Sequence, residues 1–317
     1  MKTIAFHDNN LCLRGTTNAM YAYADYNEKI LGNKSIIITT PFGNLDALEK
    51  FQKRFDEVHL IPWWEYVPFL KSKDVDFFYA IKAGHKSDGL LIEEIPTLIH
   101  AVFCHNEPHG HRYCYVSDWL AKNQGYDPEK YSVPHIAEKL PPPPYDLREK
   151  LGIPSNATVF GYLGGSTEFS VYDVWNAIKQ TISERNDIYF LLMNIEKFCE
   201  DSPNVIHLPG TWDLNEKSSF IHACDAMLHA RRGGETFGCS VAEFTMCNKP
   251  VVTYEHVYER AHIEILGERG IYYKNYEDVY DMINNLKKYI TRDDYYKAYD
   301  DYSPEKIMDR FNKNFLM

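Results

Sequence analysis

The sequence of 317 residues lacks a long uncharged apolar run and has no CxxC pair. Its most apolar stretch, GLLIEEIPTLIHAVF, is interrupted by Glu93, Glu94 and Pro96, so no segment is expected to span a bilayer. The N-terminal MKTIAFHDNN has no apolar signal-peptide core. The seven cysteines are scattered and odd in number, which is typical of reduced thiols in a core. These absences predict a soluble, cytoplasmic protein.

Positive charge is also scarce, because 34 Lys and Arg face 45 Asp and Glu. The formal net charge of −11 excludes broad electrostatic binding to nucleic acid or to anionic membranes. It does not exclude an anionic small molecule, since a single arginine or a helix N-terminus can hold one.

No metal is expected from the sequence. His105, His109 and His111 are separated by Pro108 and Gly110 in a spacing that matches no common zinc site. The Asp74-Val75-Asp76 triplet resembles a metal-binding DxD motif, but we interpret it as surface charge.

The length favours two domains, and the alternation of short apolar runs with longer amphipathic stretches favours α/β domains with parallel sheets. Before residue 140 the pattern predicts strands at KTIAF, SIIITT, EVHLI, LIHAVFCH and RYCYVS, and helices at TTNAMYAYADYNEKIL and DWLAKNQG. After residue 155 it predicts a further series: ATVFGYLGG, SVYDVWNAIKQTISE, DIYFLLMN, NVIHLPG, LNEKSSFIHAC, AMLHA, GCSVAEFTMCN, KPVVTY and HIEILG.

Four consecutive prolines, Pro141 to Pro144, separate the two series, and such a run favours a stiff, extended connector. We therefore predict Rossmann-like domains at 1–140 and 141–302. A last helix should begin at a Ser303 N-cap with Pro304 in its first position, and residues 303–317 should cross back to the first domain. A ligand is expected in a cleft between the domains.

The segment GGETFGCSVAE places Glu235 and Glu243 eight positions apart among glycines and small residues. A helix beginning near Gly238 would present free N–H groups suited to a diphosphate. Glu243, about one turn further, could accept hydrogen bonds from a ribose diol. The alternative is that Glu243 is a solvated helix residue and Glu235 a partner of the helix dipole.

GETFGCSVAEF followed by NKPVV resembles the Glu–seven–Glu motif of retaining glycosyltransferases of the GT-B fold, in glycosyltransferase family four, the group 1 glycosyltransferases. LREKLGIPSNATVFGYLGG, HACDAMLHARRGGETFG and AHIEILGERGIYY resemble further segments of that donor-binding domain. LCLRGTTNAM resembles the Gly-rich loop after the first strand, a weaker match.

The resemblance implies metal-independent transfer of a hexose from a UDP- or GDP-sugar to a sugar or glycan acceptor with retention. It implies that Glu243 binds the ribose and that Glu235 holds donor-sugar hydroxyls with the N–H groups of Thr236, Phe237 and Gly238. No enzyme nucleophile is implied, and no cofactor besides the donor substrate. His105 would approach the donor sugar, although an ordinary exposed or satisfied histidine is the alternative.

The sequence departs from the family in the loop GYLGGSTEFS, which lacks the usual Arg and Lys of the diphosphate site. Backbone N–H groups of Gly164, Gly165 and Ser166 are candidates to bind phosphate instead. Arg231 is our candidate for the missing charge, unless it is a surface residue or pairs with acids. Gly15 and Thr16, at the start of the first helix, are further candidates for the diphosphate, or an ordinary cap and turn.

Two other functions stay open. One is a non-catalytic nucleotide-sugar-binding protein that kept the fold after losing the diphosphate-gripping pair. The other is a sugar-nucleotide epimerase. The aromatic stretch IPWWEYVPF is a candidate carbohydrate contact, although such clusters are more often packing.

Overall fold

The computed structural model describes residues 1–317, the whole sequence. The chain divides into two compact units, residues 1–136 together with 302–317, and residues 137–301. Each unit is organised around one six-stranded sheet whose neighbouring strands are all parallel.

The strands follow in chain order: β1 (Thr3–His7), β2 (Lys34–Thr39), β3 (Val58–Leu60), β4 (Phe77–Lys82), β5 (Thr97–Ala101), β6 (Arg112–Tyr115), β7 (Thr158–Leu163), β8 (Ile188–Met193), β9 (Val205–Leu208), β10 (Ala226–His229), β11 (Gly234–Glu235), β12 (Val251–Tyr254), β13 (Glu259–Arg260) and β14 (Gly270–Tyr273). The α-helices are α1 (Gly15–Lys29), α2 (Leu48–Arg54), α3 (Tyr66–Ser72), α4 (Asp118–Asn123), α5 (Pro128–Tyr131), α6 (Leu147–Leu151), α7 (Tyr172–Glu184), α8 (Leu214–Ala223), α9 (Cys239–Met246), α10 (Ala261–Leu266), α11 (Tyr276–Asn284), α12 (Leu286–Tyr289) and α13 (Pro304–Phe311).

The two large sheets share one doubly wound topology. The first has the order β3-β2-β1-β4-β5-β6, and the second has the order β14-β12-β10-β7-β8-β9. In each sheet the chain starts in the middle, builds outward on one side, and then returns to build the other side. This reversal creates a switch point between β1 and β4 and another between β7 and β10, beyond whose carboxyl ends ligands usually bind. The predicted α/β class with parallel sheets is confirmed.

The strands are apolar because helices cover both faces of these sheets. Ile36, Ile37 and Ile38 in β2 are all fully buried, although they alternate between the two faces. Buried side chains in succession, rather than alternation, therefore mark the strands of both units.

Most predicted elements are present, and two differences are informative. The predicted strand LIHAVFCH ends at Ala101, so His105 lies four residues beyond β5 instead of ending it. The central strand β4 was not predicted, because its apolar run follows the charged residues Asp74 and Asp76. Both are exposed, and the carboxylate of Asp76 accepts a hydrogen bond from the backbone N–H of Thr3 at 2.7 Å.

The last helix, α13, begins at Pro304 after Ser303, as the sequence predicts. The Ser303 side chain makes no capping hydrogen bond. The helix is strongly amphipathic and packs its apolar face, including Phe311, within the N-terminal unit, where the Phe311 ring lies 5.5 Å from that of Tyr23. On its polar side Arg310 donates to the carboxylate of Asp118 at 2.7 Å.

Pro141 to Pro144 lie outside helices and strands. All seven cysteines are unpaired, and Cys114 and Cys224 are buried while the other five are partly exposed. The prediction of core thiols is thus right for two of them. None of the helices combines the length and the apolar character that crossing a bilayer requires.

Candidate functional site

The loops that follow β7 and β10 lie at the switch point of the C-terminal unit. The first contains Gly164, Gly165 and Ser166, and the second runs through Arg231 and Glu235 to the start of α9. Because β7 and β10 are adjacent parallel strands, their carboxyl ends bring these loops to the same edge of the sheet. The sequence predicted both loops to bind the donor, and the topology makes them neighbours.

Gly234 fixes the path of the second loop. Its φ is +80°, and a Cβ there would lie 2.0 Å from the carbonyl oxygen of Glu259. This approach allows β11 to pair with β13, in the register Gly234 with Glu259 and Glu235 with Arg260. The close approach at Gly234 is therefore to the chain's own backbone. At Gly233 a Cβ would meet no atom within 4 Å, so of the two neighbouring glycines Gly233 is the one that borders open space.

Glu235 is held by two donors. Arg231 Nη1 donates to its Oε2 at 2.8 Å, and its Oε1 lies 3.2 Å from Nε2 of the fully buried His229. Burial raises the pKa of the Glu235 carboxyl, but the Arg231 charge and the His229 hydrogen bond outweigh burial and lower it to about 2. Glu235 is therefore an ionised carboxylate, able to accept hydrogen bonds from hydroxyl groups.

Arg231 bridges the two loops of the switch point. Its Nε donates to Oε2 of Glu168 at 2.6 Å, in the loop that lacks the family's Arg and Lys. Nη2 is left without a protein acceptor. Arg231 therefore pairs with acids, which was the alternative interpretation of this residue. Its Nη2 remains for another anion. Arg232 is exposed, and its backbone N–H donates to Ser170 Oγ at 3.1 Å.

A third acid lies beside this pair. Burial raises the pKa of Glu259 to about 7, with Arg231 opposing the shift and Glu235 and Glu168 adding to it. The group around Arg231 therefore holds more acids than bases. Burial is the main cause of this shift, and repulsion from the other two carboxylates adds to it.

Helix α9 begins after Gly238, whose φ of +93° makes it a left-handed N-cap. No side chain caps the helix, so the N–H groups of its first turn are left for another acceptor. Thr236 and Phe237 are buried, and the Phe237 carbonyl accepts a hydrogen bond from the buried Tyr299 hydroxyl at 3.0 Å. Tyr299 thus fixes the loop that enters α9.

Glu243 lies in the second turn of α9. Its Oε1 accepts from Lys217 Nζ of α8 at 2.5 Å, while its Oε2 is buried without a hydrogen-bond partner. The side chain is 20% exposed, so it is neither the freely solvated residue of the alternative interpretation nor fully enclosed.

Sequence reasoning missed a buried polar row behind Glu235. His229 Nδ1 lies 2.8 Å from Thr253 Oγ1, which lies 3.2 Å from His262 Nε2. Burial holds the pKa of His262 well below its usual value, so this imidazole is neutral. These residues come from β10, β12 and α10. Their positions near strand ends or a helix start were the only feature of the sequence from which the row could have been predicted.

In the loop after β7 the hydrogen bonds of the two glycines are made by their carbonyl groups, not by their N–H groups. The Gly164 carbonyl accepts from Asn194 Nδ2 at 2.7 Å, and the Gly165 carbonyl accepts from the Glu168 N–H at 2.9 Å. Gly165 and Ser166 are exposed, as a phosphate-binding role would require.

In the N-terminal unit, Gly15 and Thr16 begin α1, next to an ion pair between Arg14 and the buried Asp8. Thr17 Oγ1 donates to the same carboxylate at 2.9 Å. Burial raises the pKa of Asp8, with Arg14 opposing it. Thr16 Oγ1 and Arg14 Nε are both buried without a hydrogen-bond partner at this helix start.

The His105 ring packs against that of His85, tilted by 33° with 3.4 Å between ring centroids, and the His105 carbonyl accepts from Tyr115 Oη at 2.9 Å. Burial lowers the pKa of His105, and the neighbouring His85 lowers it further. His109 is engaged elsewhere, with its Nε2 at 3.0 Å from Lys82 Nζ. No three His, Cys, Asp or Glu side chains are arranged to hold a metal ion.

Two doubly wound parallel sheets define the GT-B class of fold. The structure is similar to Anabaena Alr3699/HepE in complex with UDP-glucose, at a TM-score of 0.73 and 14% identity over 99% of each chain. It is also similar to a glycosyltransferase from Rickettsia africae, at a TM-score of 0.63 and 15% identity over 99% of this chain and 94% of that one. A putative UDP-N-acetylglucosamine 2-epimerase from Listeria monocytogenes has a TM-score of 0.59 and 12% identity over 98% and 94%.

At these identities the structural similarities establish the fold alone. In the sequence, residues 192–306 match the family model of the glycosyl transferases group 1. That segment contains Glu235, Glu243 and most of the C-terminal unit, so the resemblance predicted from GETFGCSVAEF is confirmed at the level of group 1 glycosyltransferases. No curated protein matches the sequence significantly.

Proposed function

We propose that this protein is a retaining glycosyltransferase that moves a hexose from a nucleotide diphosphate sugar to a carbohydrate acceptor. One observation carries the proposal: the ionised Glu235 precedes, and Glu243 follows, an uncapped helix start at a switch point. The group 1 match and the UDP-glucose bound to the Anabaena protein support a nucleotide-sugar donor.

In this proposal the donor diphosphate binds at the first turn of α9 and near Arg231 Nη2. The departing nucleoside diphosphate gains negative charge as the glycosidic bond breaks, and fixed N–H dipoles and a guanidinium stabilise that charge without reorganising. Backbone N–H groups of Gly165 and Ser166 would add to this stabilisation. The chain then needs no metal to neutralise the leaving group.

The two acids have different roles in the proposal. Glu235 accepts hydrogen bonds from donor-sugar hydroxyls, and its low pKa keeps it an acceptor at neutral pH. Glu243 accepts from the ribose. His105, Gly15 and Thr16 remain proposed donor contacts that rest on the resemblance.

We further propose that the acceptor is a carbohydrate that contacts exposed aromatic rings of the N-terminal unit. Trp63 is 71% exposed, Trp64 57% and Phe42 75%. They follow the carboxyl ends of β3 and β2, and the Phe42 and Trp64 rings are 6.3 Å apart. Neither 40–47 nor 61–69 contains Lys or Arg, so an uncharged polyol suits this patch better than an anionic membrane does.

Two alternatives have support of their own. A non-catalytic binding protein is favoured by Glu168, an acid in the loop where the family carries Arg and Lys. An epimerase is favoured by the similarity in fold to the Listeria protein.

One experiment separates the three functions. Purified protein is incubated with UDP-, GDP- and ADP-sugars, with and without a panel of neutral oligosaccharides, and free nucleoside diphosphate is measured. Acceptor-dependent release, with a product whose anomeric configuration by NMR equals the donor's, supports the proposal. Binding without release indicates the non-catalytic function, and interconversion of the donor sugar without an acceptor indicates the epimerase.

A further inference from the structure

Lys217 in α8 is a lysine in an uncommon place. Its side chain is 7% exposed, whereas lysines are among the residues least often buried. Its ammonium group makes one ion pair, the 2.5 Å contact with Oε1 of Glu243. The two residues are 26 positions apart and come from different helices.

Glu243 is only half satisfied by this contact. Its second oxygen, Oε2, is buried and has no hydrogen-bond partner. A carboxylate can accept several hydrogen bonds, and a buried unpaired oxygen is unfavourable. The carboxylate is therefore anchored at one oxygen and incomplete at the other, and a hydroxyl group is the partner that would complete it.

A contribution to stability does not explain why Lys217 and Glu243 form an ion pair at this position. A buried ion pair is often no more stabilising than apolar side chains of the same volume, and burying both charges is unfavourable. Lys217 does have a specific effect on Glu243. Its short contact holds Oε1 and limits the orientations that the carboxylate can adopt.

We propose that Lys217 is a positioning residue that sets Glu243 to recognise the ribose diol of the donor. The inference rests on the proposed function, in which Glu243 contacts the ribose. Lys217 itself need not touch the ligand. It anchors the carboxylate at Oε1, so that a ribose hydroxyl can donate to Oε2 after a small rotation about that anchor exposes it.

The test compares ribonucleotides with their 2′-deoxy counterparts. Dissociation constants of UDP, GDP and ADP, of 2′-deoxy-UDP, -GDP and -ADP, and of pyrophosphate are measured by calorimetry for the wild type and Lys217→Met. For the nucleotide that it binds best, the wild type should prefer the ribo form about tenfold, as expected for a hydrogen bond to a charged acceptor. Lys217→Met should reduce that preference to about twofold or less, with pyrophosphate binding unchanged.

Controls separate positioning from packing. Lys249→Met removes another partly buried lysine of this unit, which donates to the Cys224 carbonyl at 2.6 Å, and should keep the ribose preference. Lys217→Arg should also keep it, since it retains the charge. If Lys217→Met does not fold, Lys217→Gln takes its place in the comparison.

The outcomes are distinguishable. A ribose preference that survives in Lys217→Met, or its replacement, overturns the inference and leaves the proposed function intact. A wild type that binds none of the three nucleotides overturns both. A wild type that binds ribo and deoxy forms equally contradicts the ribose contact of Glu243 and with it the role of Lys217.

Discussion

Arg231 and Glu235, four residues apart, are joined across the turn after β10 by a 2.8 Å hydrogen bond from Nη1 to Oε2. The same guanidinium donates to Glu168, so it is held between the two loops of the switch point. This arrangement keeps Glu235 ionised and places a cation near a loop that lacks the family's Arg and Lys.

Replacing Glu235 with Gln should reduce kcat at least about 100-fold, a loss typical of removing one group that stabilises or positions the reacting centre. Nucleoside diphosphate binding should stay within about threefold, because Arg231 keeps Glu168 as a partner. Steady-state kinetics and calorimetry measure the two effects. Glu216→Gln, an exposed acid of α8, should alter neither. Equal activity of Glu235→Gln and the wild type would contradict the role assigned to Glu235.

Stability should depend on pH through Glu259. Its folded pKa of about 7 lies above the ordinary 4.5, so the folded protein holds this proton more tightly than the unfolded chain does. The resulting stabilisation is fully present below about pH 4.5 and is lost as pH rises through 7. The free energy of unfolding, from urea titrations at pH 5 to 8, should fall less steeply in Glu259→Gln. Identical slopes in the two proteins would show that Glu259 does not titrate in this range.

Gly234→Ala should destabilise the protein by about 2–4 kcal/mol, combining left-handed strain with a backbone clash. The clash is specific, since the added Cβ would lie 2.0 Å from the Glu259 carbonyl oxygen. Gly233→Ala is the matched control, because its Cβ would meet nothing within 4 Å, and it should cost less than about 1 kcal/mol. Urea denaturation measures both values. A similar loss of stability in the two variants would show that the close contact between β11 and β13 is not the cause.

Trp63→Ala combined with Trp64→Ala should raise the KM for a carbohydrate acceptor about tenfold, since each ring would contribute stacking area to the sugar. The KM for the donor and the melting temperature should change little, because both rings are more than half exposed. Tyr172→Ala, which removes a 62% exposed ring from the C-terminal unit, is the control. An unchanged acceptor KM would exclude the patch from acceptor binding.

The sequence predicted the elements that carry a local signal. β2 is a run of isoleucines bounded by polar residues, and α13 has a proline at its first position. β4 was not predicted because the charged residues just before it, Asp74 and Asp76, are typical of a surface loop. The strand is nevertheless central in its sheet. His105 was placed at a strand end because apolar residues continue past Ala101, where sheet pairing has already stopped.

The sequence by itself determined the α/β class and the pair of acids around a helix start, because spacing, glycines and burial patterns are local properties of the chain. Tertiary structure decided which charges meet those acids. Lys217 is 26 residues from Glu243, and Glu168 is 63 residues from Arg231. Periodicity carries no information about side chains that meet only after the sheet has formed. The pairing of Arg231 with Glu168 and the half-satisfied carboxylate of Glu243 are consequences of the fold, because parallel strands bring separate loops to one edge.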